Sequence, residues 1–188
     1  MNDMPDLNHT EYLLPRELVE KARQVIDANR AIGRRLAVAE SCTGGLVGAA
    51  LTEIPGSSDV FEASLVTYSN DAKMKLAGVS LDVLETFGSV SIANAWAMAQ
   101  GALERAEVDV AVAITGIAGP DGGSEKKPVG TVVFARAERD APPDKIKAER
   151  REFGDLGRGG IRLQAALCAL ELLMPDAPMA APPPAPVP

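Results

Sequence analysis

The chain has 188 residues, 46% of them apolar and 24% charged, and a formal net charge of -7. That length suits one domain with a core large enough to fold without metals or disulfide staples. The acidic balance disfavours general nucleic-acid binding, while a small phosphorylated ligand needs only a local pocket. Cys42 and Cys168 are far apart and match no metal spacing, so they read as free thiols of a reducing compartment. His9 is the one histidine and sits in a polar N-terminal stretch, which argues against a Ser-His-Asp triad and a His-rich metal site. The opening "MNDMPDLNHTEYLL" lacks the basic and apolar regions of a signal peptide. No apolar run approaches the ~18 residues of a membrane span. The expectation is a cytoplasmic protein with no membrane and no nucleic-acid partner.

In chain order, residues 15–32 read as an amphipathic helix with Leu18, Ala22, Val25 and Ile26 on one face. "RLAVA" is a short strand, and "GGLVGAALTEI" a helix that stops before the turn signal "PGSS". "SLVTYS" is rich in β-preferring residues and predicts a strand. Asn70 is placed to cap the short helix "DAKMKLA", which Gly78 ends. "LDVLETF" predicts another short helix. Ser91 predicts the cap of a long one, "IANAWAMAQGALERA", whose Ala-rich face allows close packing and whose Trp96 and Met98 belong to core or interface.

"DVAVAIT" is a continuously apolar strand, as expected for one covered on both faces. "GIAGPDGGSEKKP" is a loop, "VGTVVFARA" and "AERREF" are strands, and "GIRLQAALCALELLM" closes the domain as a helix. From Pro175 the tail "PDAPMAAPPPAPVP" predicts a flexible segment. The alternation predicts an α/β fold, helices on both faces of a mostly parallel or mixed sheet, in a single domain over residues 1–174.

Ligands of such sheets bind outside the carboxyl ends of the strands. Three polar clusters fall there: "ESCTGG", "TYSNDAK" and "TGIAGPDGG". In the first, Ser41 can present its hydroxyl to a crevice while the N–H groups of Thr43, Gly44 and Gly45 point the same way, as donors to an oxyanion or phosphate. The bland alternative is that Ser41 or Thr43 only caps the helix. Cys42, as the neighbour of a crevice-facing residue, is expected to face the core. A serine hydroxyl needs a base. With histidine unavailable, the second cluster offers Lys73, whose pKa burial could lower, and Tyr68, which could relay a proton. Lys73 could equally be a solvated helix lysine. The third cluster suits a loop around a phosphate or ribose, with Thr115 in the pocket; it matches neither a Walker loop nor a dinucleotide fingerprint.

Together, "AESCTGG", "PGSS..F", "VTYSNDAKMKLAGV", "G.VS" and "TGIAGPDGGSEKKPVGTV", in that order, resemble the C-terminal domain of the CinA (competence/damage-inducible) family, over roughly Arg16 to Met174. The chain looks like the stand-alone, PncC-like form, without the molybdopterin-binding-like domain of longer members. The resemblance implies a three-layer α/β/α sandwich, homo-oligomers, and no metal or cofactor. It also implies hydrolysis of the carboxamide of nicotinamide mononucleotide to nicotinate mononucleotide and ammonia, in pyridine nucleotide salvage. It makes Ser41 the nucleophile and Tyr68 and Lys73 its activating pair. Backbone amides from Cys42 through Thr43 and Gly44 to Gly45 would hold the oxyanion. Thr115, Gly116 and Gly119 would line the ribose-phosphate side, and Asn70 would position the amide or order its loop. Where the family has a compact "GDR", this chain has "FGDLGRGGIR". Arg158 aligns best with the phosphate arginine, and Arg162 competes. Two other readings stand beside this one: a nucleotide-binding regulatory protein without turnover, and a metal-dependent pyrophosphatase acting on another nucleotide, for which no carboxylate cluster stands out.

Overall fold

The computed structural model describes residues 12–142 and 147–176. His9 and the tail beyond Asp176 lie outside the described residues. Five strands form one sheet: β1 (Leu36–Glu40), β2 (Phe61–Val66), β3 (Val110–Gly116), β4 (Thr131–Glu138) and β5 (Lys147–Glu152). Their order is β2-β1-β3-β4-β5. β2, β1 and β3 are mutually parallel, while β4 is antiparallel to both β3 and β5. The sheet is therefore mixed, with its parallel half carrying the three chemistry-bearing strand ends.

The helices are α1 (Arg16–Ala31), α2 (Leu46–Thr52), α3 (Asn70–Ala77), α4 (Leu81–Phe87), α5 (Ile92–Ala106) and α6 (Gly157–Leu173). Strand alternation sorts side chains by size. Val38, Val112, Ile114 and Phe134 face the core shared with α1, α2 and α6. Ala37, Ala39, Ala111, Ala113, Ala135 and Ala137 face the core shared with α3, α4 and α5. The alanine face meets Ala95, Ala99 and Ala102 of α5, so helix and sheet approach closely. α3 then docks on α5 at Gly101, where an added Cβ would stand 1.7 Å from the Ala77 carbonyl oxygen.

Two local expectations shift. β2 ends at Val66, not Ser69: Thr67 N–H donates to Glu40 O at 2.8 Å, β1 ends at Glu40, and beyond it the chain has no partner strand to follow. The cap of α3 is Ser69, whose hydroxyl accepts from Ala72 N–H, and Asn70 is the first helical residue. Asp176, the last described residue, pairs its carboxylate with Arg136 and Lys147. Ser91 caps α5 by accepting from Asn94 N–H, as its position predicts.

Candidate active site

The turn after β1 is built on a residue that the sequence motif contains but does not explain. Glu40 is fully buried. Its carboxylate accepts from the N–H groups of Gly45 (3.0 Å), Val47 (3.2 Å) and Gly48 (2.8 Å), and from the Ser64 hydroxyl at 2.9 Å. Neither Ser41 nor Thr43 caps α2; the carboxylate one residue before Ser41 does, at the end of the helix where a negative charge is favoured. Gly44 and Gly45, with φ of 61° and 91°, supply the left-handed pair that lets the chain turn back over that carboxylate.

This arrangement corrects the expected role of the turn amides. Gly44 N–H donates to Ser41 O and Gly45 N–H to Glu40, so both are committed within the turn. Thr43 faces away: its hydroxyl oxygen is buried and unpartnered, and its carbonyl accepts from Arg162. Of the four residues, Cys42 alone lines the cavity beside Ser41. Its thiol also packs into the apolar core, and burial pushes its pKa up to about 11.

Ser41 is held at the end of β3 by its N–H, which donates to Ile114 O at 2.9 Å. Lys73 reaches it from α3. The Lys73 side chain is 1% exposed, and its Nζ lies 3.0 Å from Ser41 Oγ, 2.8 Å from Thr67 O and 3.4 Å from Tyr68 O. Burial lowers its pKa from the ordinary lysine value. The three neighbours fix what a neutral Lys73 must do. Carbonyl oxygens only accept, so they take its two N–H groups, and the remaining lone pair faces the Ser41 hydroxyl.

Tyr68 does not join this pair through its phenol. The ring is 62% exposed, and its hydroxyl accepts from Arg158 Nη2 at 3.2 Å. The expected Tyr68–Lys73 pair is therefore a contact to the Tyr68 main-chain carbonyl, while the ring faces outward.

Ser41 and Lys73 open into a cavity of about 240 Å3, lined also by Asn70, Ser89, Thr115 and Arg158. An outer compartment of about 430 Å3, sharing Tyr68, Ser89 and Arg158, continues past Gly116 and Gly119. Thr115 lines the inner wall but spends its hydroxyl on Ser89 O, at 2.7 Å. Asn94 Nδ2 donates to the same carbonyl at 2.6 Å, so both side chains set the segment that forms the facing wall. Arg158 Nη1 donates to Gly119 O at 2.7 Å, which ties the glycine loop to the start of α6. Arg162 points instead at the β1–α2 turn. Among the described residues, no group of three or more His, Cys, Asp and Glu side chains is gathered as a metal site, and no helix is long and apolar enough to cross a membrane.

The fold and site define an α/β protein with a buried Ser–Lys pair at the carboxyl ends of parallel strands. The CinA C-terminal domain family model matches residues 19–176, and the chain belongs to that family. Nicotinamide-nucleotide amidohydrolase PncC of Escherichia coli strain K12 is 48% identical over 157 residues, covering 84% of this chain and 93% of PncC. A CinA-like protein of Syntrophobacter fumaroxidans is 50% identical over 144 residues; that match takes in 77% of this chain and only 33% of the longer protein. The crystal structure of the competence/damage inducible protein CihA of Agrobacterium tumefaciens superposes with a TM-score of 0.81 at 47% identity, covering 86% of this chain and 96% of that one.

Proposed function

We infer that the chain is a nicotinamide-nucleotide amidohydrolase that releases ammonia from nicotinamide mononucleotide, with Ser41 as nucleophile and Lys73 as its base. Its likeness to PncC over nearly the full length of that enzyme supports the reaction. The observation that carries the chemistry is the 3.0 Å contact between Lys73 Nζ and Ser41 Oγ. Neutral Lys73 accepts the hydroxyl proton as Ser41 Oγ attacks the carboxamide carbon, and the carbonyl becomes an oxyanion. Cys42 N–H, beside Ser41 and lining the cavity, is the main-chain donor proposed for it. Lys73 returns the proton to the leaving nitrogen, ammonia departs, and an ester to Ser41 remains. Water attacks that ester, Lys73 takes its proton and passes it to Ser41 Oγ, and nicotinate mononucleotide leaves.

Arg158 serves the phosphate end, since it lines both compartments and Arg162 lines neither. Gly116 and Gly119 border the ribose, and Asn70 stands at the rim of the inner cavity. The proposal needs no metal, cofactor, nucleic acid or membrane. It includes a homo-oligomer, supported by a groove of about 700 Å3 along α4 and α5 in which Phe87 and Ile92 stand half exposed beside Trp96.

Ammonia release from nicotinamide mononucleotide in EDTA tests the reading. The native chain is expected to turn over. Ser41→Ala should lose at least about a thousandfold in kcat with its fold intact, while Cys42→Ala, which keeps the main-chain donor, should retain activity. Turnover in Ser41→Ala together with loss in Cys42→Ala would overturn the nucleophile. Binding of the nucleotide by the native chain without ammonia would favour a regulatory protein instead.

A further inference from the structure

The outer compartment holds two cations, Arg158 and Lys127, and neither is ion-paired to a carboxylate among the described residues. Arg158 donates to the Gly119 carbonyl and the Tyr68 hydroxyl, both neutral. Lys127 lines the same compartment, next to Gly88 at the end of α4. Its main chain is pinned by a tight turn in which Ser124 N–H donates to Lys127 O at 2.9 Å and Lys127 N–H donates back to Ser124 O at 3.1 Å. Its Nζ donates to Phe87 O at 3.2 Å, at the C-terminal end of α4, where a cation is favoured. An ammonium has three N–H groups, so one carbonyl leaves it with donors to spare. Lys127 Nζ also stands 3.6 Å from where a Cβ on Gly88 would be, next to Ser89 in the wall of the catalytic cavity. Asp121 is the one carboxylate in the lining. Two such cations facing one cavity, in a chain of net charge -7, make a local anion site against the protein's overall field.

We propose that Lys127 is a specificity-determining residue whose ammonium, together with Arg158, holds the phosphate of the nucleotide and makes the enzyme select a mononucleotide over the corresponding nucleoside. This rests on the nucleotide reading above and adds a second, separate phosphate contact from the loop after β3. The ammonium rotates from Phe87 O toward the phosphate, exchanging a neutral acceptor for a dianionic one.

The test is the ratio of dissociation constants for nicotinamide riboside and nicotinamide mononucleotide, measured by calorimetry in the Ser41→Ala background so that neither compound reacts. Lys127→Met is expected to lower that ratio by about tenfold or more, and Lys127→Arg to restore most of it. A ratio unchanged in Lys127→Met overturns the proposal, because a merely structural lysine would weaken both compounds equally. Ammonia release by the native chain separates the two questions. No release with the ratio effect intact would sink the reaction and keep the phosphate site. Release with no ratio effect would sink Lys127 alone, and a chain that binds neither compound would sink both.

Discussion

Lys73 Nζ and Ser41 Oγ, 32 residues apart in the chain, meet at 3.0 Å inside the protein, and the other acceptors of Lys73 are two main-chain carbonyls. Among the described residues, no negative side chain is a hydrogen-bond partner of Lys73, and burial holds its pKa below the ordinary 10.5. In the proposed mechanism the neutral amine is the competent base. The expected pH profile of kcat/KM therefore falls on the acid side, as Lys73 takes up a proton, with its midpoint below the ordinary lysine value. Lys73→Arg, which stays protonated at all these pH values, should lose about a hundred- to ten-thousandfold in kcat. The same shift has a sign for stability. Between the lowered folded pKa and 10.5 the unfolded chain binds more protons, so stability rises with pH across that window. Urea midpoints measured along a pH series should show that rise, and Lys73→Met should remove it.

Glu40 joins the turn that carries Ser41, the proposed nucleophile, to the fold. Its carboxylate satisfies three N–H groups at the start of α2 and the Ser64 hydroxyl of β2, while its own backbone ends β1. Glu40→Ala would leave those donors buried and unpaired, at a cost of about 3–5 kcal/mol. Urea denaturation should register that loss, and turnover of whatever remains folded should fall too, because the turn that orients Ser41 is released. Wild-type stability in this variant would show that the turn holds itself.

Gly101 bears on the proposed base, Lys73, through the packing of α3 on α5. A methyl group there would overlap the Ala77 carbonyl at the end of α3, the helix that carries Lys73. Gly101→Ala should destabilise the protein by about 1–3 kcal/mol through overpacking. It should also lower kcat more than it raises KM, since moving α3 lengthens the Lys73–Ser41 contact while Arg158 and Lys127 stay in place. A thermal melt and steady-state kinetics on the same preparation check both halves. A change in KM alone would argue against it.

Features that depend on near neighbours in the chain are legible from the residues alone. Ser91 followed by an Ala-rich stretch specifies α5, and the unbroken apolar run of β3 specifies a strand buried on both faces, because caps and side-chain periodicity act over one or two turns. The motifs around Ser41, Lys73 and Thr115 likewise placed three polar clusters at strand ends. Tertiary structure decided which groups meet. Strand order brings Ser41 against Ile114 and docks α3 so that Lys73 reaches it, while the segment between β2 and α3 sends the Tyr68 phenol to Arg158 and its carbonyl to Lys73. Arg158 and Arg162, one helical turn apart, diverge to the cleft and to the β1–α2 turn. Glu40 reads locally as one more polar residue after an apolar strand, and its work as the cap of α2 needs the double left-handed turn that folds the helix back over it. Such contacts rest on the directions of side chains from separate elements, and those directions are set only when the helices pack on the sheet.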